Sequence, residues 1–203
     1  MAYSDFKTIS QARTTFNLTL EEGEHLFPNI EPIEPSEVLK TTFQQNLPLA
    51  NAINTEKARS ELIIAPILLD VRRLLKFQIG FFSGSEFNVD PATGLNGYCD
   101  YILTVSQELY EIHAPVLTLV EAKNENIKGG LGQCIAEMVA AHKFNQKHDN
   151  RVEVIYGAVT TGTNWKFLKL VNQTMFIDLD DYYIKEINQI MGILVNPFKQ
   201  YQV

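Results

Sequence analysis

The stretch Pro115–Lys123, Pro-Val-Leu-Thr-Leu-Val-Glu-Ala-Lys, constrains the fold more than any other part of the chain. Its Val and Leu residues follow one another without polar alternation, and the apolar run is too short for a typical helix. A run of this kind reads as a strand buried on both faces, which implies a sheet covered by helices. The run ends on Glu121 and Lys123. Residues two apart on a strand point to the same side, so a carboxylate and an ammonium leave the buried sheet together.

The rest of the chain supplies the elements such a sheet needs. Asn17–Leu20 suggests a short strand. Phe27–Pro35 carries Pro28, Pro32 and Pro35 and reads as an extended linker. Ser36 offers an N-cap for a short helix to about Gln45, with Leu47–Ile53 as a loop or turn. Asn54 or Thr55 opens a longer helix to about Lys76, kinked at Pro66. Phe77–Val89 and Leu95–Val105 read as strands on either side of the turn Asp90–Gly94. Gly129-Gly130 is expected to break the chain before a helix from Leu131 to His148. Val152–Val159 reads as another buried strand, and Trp165–Val171 and Met175–Leu179 as a hairpin. Asp180 or Asp181 is expected to cap a last helix ending near Leu194, with Pro197 beyond it. The order predicts an α/β fold with a mixed central sheet. Residues 1–53 read as an N-terminal extension with a short helix, and residues 54–203 as the main domain.

Composition excludes several classes. No apolar run approaches the roughly 18–20 residues of a membrane span, so no membrane association is expected. The N-terminus lacks the basic and apolar regions of a secretory signal. Cys99 and Cys134 form no disulfide framework and lack zinc-ligand spacing, which suggests a cytoplasmic, reducing setting. The net charge of −7 argues against a protein that coats nucleic acid through phosphate neutralisation. It argues less against a metal-dependent enzyme, whose ions supply positive charge locally.

The chemistry is expected where Glu121 and Lys123 meet Asp100, which stands in Gly-Tyr-Cys-Asp-Tyr-Ile-Leu on the preceding strand. Two carboxylates in one place repel unless a cation joins them. Magnesium favours such a site, taking few carboxylates and completing its shell with water and phosphate oxygens. Lys123 is placed to stabilise developing charge or orient a water. The scattered histidines have no ligand spacing. Lys128 with Asn124–Asn126, and Arg72 with Arg73, read first as solvated polar surface, and Trp165 and Phe167 as packing.

This constellation resembles the PD-(D/E)XK nuclease superfamily, over about Glu61 to Leu170. The resemblance implies a restriction-endonuclease-like αβββαβ core. It implies metal ligation by Asp100, Glu121 and the Ala122 carbonyl, and a catalytic role for Lys123. Glu61 matches a Glu that family members often carry on the helix before the first strand. Gln133 matches a Gln near the start of the helix after the lysine. Both are then catalytic-site supports. The Pro that often precedes the family's Asp is replaced by Cys99. The function so implied is hydrolysis of DNA by a Mg²⁺-activated water, with Mn²⁺ substituting and RNA left open as a substrate. The alternative is a weakly active or inactive nuclease-fold module that binds or regulates within a larger restriction or repair system. A homodimer or a partner subunit fits either reading.

Overall fold

The computed structural model describes residues 1–150 and 152–201. In chain order they form α1 (Ile9–Phe16), β1 (Thr19–Glu22), α2 (Glu37–Ile53), α3 (Glu56–Arg59), a π-helical turn (Ser60–Ile64) and α4 (Ala65–Leu74). Then come β2 (Gly80–Glu86), β3 (Tyr98–Thr104), β4 (Val116–Ala122), α5 (Ile127–Lys147), β5 (Val154–Thr160), β6 (Asn164–Val171), β7 (Thr174–Ile177), β8 (Tyr182–Tyr183) and α6 (Ile187–Lys199). Every residue of β4 is buried, because β4 sits inside an eight-stranded sheet of order β1-β7-β6-β5-β4-β3-β2, with β8 added on β6. The pairs β4–β5 and β1–β7 are parallel and the others antiparallel. The sheet is therefore open and mixed, with helices against it, as the sequence leads one to expect.

The alternation of β4 sets up the site. Leu119 pairs with Gly157 of β5. A Cβ on Gly157 would collide with Met138 and Cys134 of α5, so this side of β4 faces α5. Val120 pairs with Tyr101 of β3, whose hydroxyl meets Ser60 of the π turn. That side faces the α3–α4 layer. Glu121 and Lys123 thus project toward α5, and Ala122 toward the π turn. Asn145, buried near the end of α5, locks the helix to the start of β4. Its Nδ2 donates to the Val116 carbonyl at 2.7 Å, and its Oδ1 accepts from the Val116 N–H at 2.8 Å.

The N-terminal 53 residues are tied into the same core. Tyr3, Phe6, Ala12, Leu18 and Phe27 are buried, and β1 extends the sheet along β7. The prolines account for several departures from the sequence reading. Pro66 does not merely kink the helix. It cannot donate to the Leu62 carbonyl four residues back, and Asn46 of α2 supplies that hydrogen bond instead, at 3.1 Å. The helix widens into a π turn over the residues just before it. α2 is not short: it continues through Pro48 to Ile53, so Leu47–Ile53 is helical rather than loop. α1 was not expected at all. It is closed by a capping box of Thr8 and Gln11. α6 begins at Ile187, after β8 and a short 3₁₀ turn, and includes Pro197. β2 and β3 are shorter than the aromatic runs suggested, since Asp90 and Leu95 make only an isolated bridge.

Candidate metal centre

Asp100, near the start of β3, accepts a hydrogen bond from the Ala122 N–H at 2.7 Å. The carboxylate takes a place on the β4 edge that a β3 carbonyl would otherwise hold. It is thereby fixed beside the Glu-Ala-Lys segment. Lys123 is anchored on the other side, where its own N–H donates to the Thr160 carbonyl of β5 at 2.8 Å. Its ammonium forms an ion pair and hydrogen bond with Glu121 Oε1. Glu121 is 1% exposed and its Oε2 has no hydrogen-bond partner. The structure thus brings Asp100 against the Ala122 backbone and Lys123 against Glu121.

Gly130 explains how the lysine stem fits against α5. A Cβ there would stand 2.7 Å from Val159 Cγ1 and 3.0 Å from Lys123 Cγ. Gly129-Gly130, expected to break the chain, lies inside α5, and Asn126 caps that helix by accepting from the Gly129 N–H. The glycine at 130 serves close approach of helix and lysine rather than chain reversal.

Burial dominates the electrostatics. It raises the Asp100 carboxyl above its ordinary value, against the Ala122 N–H and the Lys123 charge, which lower it. Burial, with the Asp100 charge second, pushes Glu121 up to about 8. Lys123 is pulled down by burial, but the Glu121 carboxylate and its hydrogen bond outweigh this and hold it above its ordinary value. Lys123 is therefore an ammonium at neutral pH, suited to stabilising charge rather than to taking a proton.

A cleft of about 320 Å³ opens at this end of the sheet, lined by residues that include Glu56, Glu61, Asp100, Tyr101 and Ala122. Glu61 reaches the cleft from the π turn, but its carboxylate is 60% exposed and pairs with Lys57 at 2.7 Å. Glu121 and Lys123 lie on the α5 side and do not line the cleft. Among the described residues Gln133 makes no side-chain hydrogen bond to Asp100, Glu121 or Lys123. Its Nε2 donates to Oε1 of Glu137, one helical turn on, at 3.1 Å. Glu137 is the residue that sequence reasoning missed. It is 0% exposed, and its carboxyl is pushed well up by burial and by the Glu121 charge. A Glu inside Cys-Ile-Ala-Glu-Met-Val-Ala-Ala was the available signal.

Oxygen donors from Asp100, Glu121 and the Ala122 carbonyl are of the hard type that Mg²⁺ takes, and the partnerless Glu121 Oε2 is a buried oxygen in need of a cation or a proton. Among the described residues no group of three or more His, Cys, Asp or Glu side chains is arranged around one ion position. Magnesium does not require one, since water and substrate oxygens complete its shell. The donor set fits the ion. No helix among the described residues is long and apolar enough to cross a membrane. No protein-family model matches the sequence, and no curated protein matches it.

Proposed function

We propose that the chain is a metal-dependent phosphodiesterase of the PD-(D/E)XK type, with the restriction-endonuclease-like core running from Glu61 to Leu170, and that it hydrolyses DNA. The observation that carries this reading is the contact set at one sheet end. Asp100 is bound to the backbone of Ala122, and Lys123 is paired with a Glu121 that keeps one oxygen free. Asp100, Glu121 and the Ala122 carbonyl would hold Mg²⁺, or Mn²⁺ in its place. When bound, the ion supplies Lewis acidity and lowers the pKa of a water. The chain's own part is positional. Asp100 and Glu121 fix the donor oxygens on two adjacent strands. Lys123 holds a positive charge on the Glu121 side of the site, where charge develops on the phosphate oxygens. Glu61, at the cleft's outer wall, faces the solvent side from which a substrate backbone enters.

A second reading rests on a specific observation. Lys123 occupies Glu121, and neither lines the cleft. A fold with this pair closed would serve as a weakly active or inactive binding or regulatory module of a larger restriction or repair system. The two readings separate in one experiment. Purified chain is incubated with linear, nicked and branched DNA and with RNA, in Mg²⁺, Mn²⁺ or EDTA, beside Asp100→Ala and Lys123→Ala. Metal-dependent cleavage lost in both variants supports the enzyme. Cleavage no greater than that of the variants on every substrate removes it. Calorimetric titration with Mn²⁺ then decides whether the site still binds metal.

A further inference from the structure

A cavity of about 420 Å³ opens on the α5 face of the sheet, apart from the cleft beside Asp100. Its walls are largely apolar: Ile127 and Leu131 from α5, Ile177 and Leu179 around the end of β7, and Ile9 from α1. Asn164, at the start of β6, interrupts this lining with a carboxamide. The Asn164 backbone is engaged on both sides. Its N–H donates to Thr161 Oγ1 at 3.2 Å, and its carbonyl accepts from the Thr160 hydroxyl at 2.8 Å and the Thr161 N–H at 3.0 Å. Its side-chain Oδ1 is buried and has no donor. An acceptor shielded from water beside apolar walls is costly unless a ligand supplies the donor, and a Leu there would avoid the cost.

The strand register places this cavity beside the candidate metal centre. Glu121 pairs with Val159 of β5, and Val159 with Lys166 of β6. Lys166 and, two residues earlier, Asn164 therefore share the face of Glu121 and Lys123. Two strand spacings, about 10 Å, separate β6 from β4. Val159, which Gly130 approaches closely, lies between them. The acids around the cavity are accounted for. Asp181 is paired with Lys166 at 3.0 Å, Asp178 is saturated by three donors, and Glu22 belongs to β1, at the far edge of the sheet. Lys128 stands exposed on the rim, in the first turn of α5.

We infer that the cavity is a subsite for one unstacked nucleobase of the substrate, so that the chain acts on single-stranded or locally unpaired DNA. The flat body of a base fits between aliphatic walls, and an amine or ring N–H on its edge donates to Asn164 Oδ1. Lys128 meets the phosphate backbone outside. A purely aliphatic ligand would leave Oδ1 bare. A base inside a duplex cannot enter, because its edge is paired and its faces are stacked. The identity of the ligand rests on the reading of the chain as a DNA phosphodiesterase, whereas the cavity and its bare acceptor depend on no metal.

The test is binding by the full chain in EDTA, read by fluorescence anisotropy of a labelled single-stranded oligodeoxynucleotide. The same strand is also used annealed to its complement, and with an abasic residue moved along it one position at a time. Asn164→Leu removes the carboxamide at similar volume, and Ile127→Trp fills the cavity from its rim; thermal melting checks that both are folded. The single strand is expected to bind about tenfold or more tighter than the duplex. One abasic position should weaken binding by the parent about tenfold. Asn164→Leu and Ile127→Trp should each weaken the intact strand to a similar degree and erase the abasic effect. A flat abasic scan in the parent overturns the inference, as does a duplex bound as tightly as the single strand, or no binding to either; none of these depends on a variant folding. Unchanged affinity in folded Asn164→Leu overturns it as well. Cleavage is read separately. An abasic effect without cleavage in Mg²⁺ or Mn²⁺ supports the subsite and removes the phosphodiesterase, whereas cleavage with a flat scan supports the phosphodiesterase and removes the subsite.

Discussion

The chain buries two sets of acidic side chains to the same degree and uses them in opposite ways. Asp70 and Asp178 are each 1% exposed, as is Glu121, and Glu137 is 0% exposed. Every oxygen of the first pair is claimed. Asp178 accepts from the Leu26 and Asp180 N–H groups at 3.1 and 3.2 Å and from the Tyr182 hydroxyl at 3.0 Å. Asp70 accepts from the Ser36 N–H and hydroxyl and from Arg73 at 2.9 Å. These two acids pin the linker around residues 26–36 to the core. Glu121 and Glu137 each keep an oxygen without a donor, and burial, with the negative charge of neighbouring carboxylates second, pushes both carboxyls up. Satisfied buried acids hold a fold together. Unsatisfied ones store a cost that a cation or proton relieves, which is the mark of a site.

Substitutions should separate the two sets. The largest effect belongs to the site: Asp100→Asn and Lys123→Ala should each lower metal-dependent DNA cleavage by about 10²-fold or more, with melting little changed. Asp178→Ala should do the reverse. It strands the buried Tyr182 hydroxyl and two half-buried N–H donors, so urea unfolding should register a loss of about 3 kcal/mol, with cleavage intact while the protein remains folded.

The pH response sharpens the comparison further. Glu121 has a folded-state pKa near 8 against an ordinary value of 4.5. For a group raised in this way the contribution to stability is fully present below the ordinary value and is lost as pH rises through the folded one. Metal-free protein in EDTA should therefore melt progressively lower between about pH 5 and pH 8. Glu121→Gln should flatten that decline, and excess Mg²⁺ should oppose it by taking the proton's place. A parent melting curve that rises over this range would contradict the reading of Glu121. The smallest effect is expected at Glu61. Its pair with Lys57 is exposed on both sides, so Glu61→Gln should change stability by less than about 0.5 kcal/mol in the same unfolding measurement.

How far the sequence carried the structure depends on what each residue faces. The run Pro115–Lys123 was legible as a buried strand because Thr118 is the one polar residue in it before Glu121. The contact of Asp100 with Glu121-Ala122-Lys123 followed from two strands adjacent in the chain pairing as a hairpin. Helix boundaries were less legible wherever a tertiary contact overrode a local signal. Pro66 looked like a kink, yet Asn46 satisfies the carbonyl it frees. Gly129-Gly130 looked like a break, yet Gly130 is the residue that lets Lys123 lie against α5. α1 has too weak an apolar stripe to stand out, with Ala12 its one buried residue. Gln133 stands on α5, the helix expected to carry it, and its amide donates to Glu137. Its partner Glu137 sits one turn away in an apolar stretch, where periodicity alone assigns a hydrophobic position.

The most direct measurement is a crystal structure of the chain grown with Mn²⁺, with data collected at the manganese absorption edge. An anomalous peak bonded to Asp100, Glu121 and the Ala122 carbonyl, with Lys123 moved off Glu121, is the predicted result. An empty site at saturating Mn²⁺, with the Lys123–Glu121 pair still closed, would contradict the assignment of these residues as a metal centre.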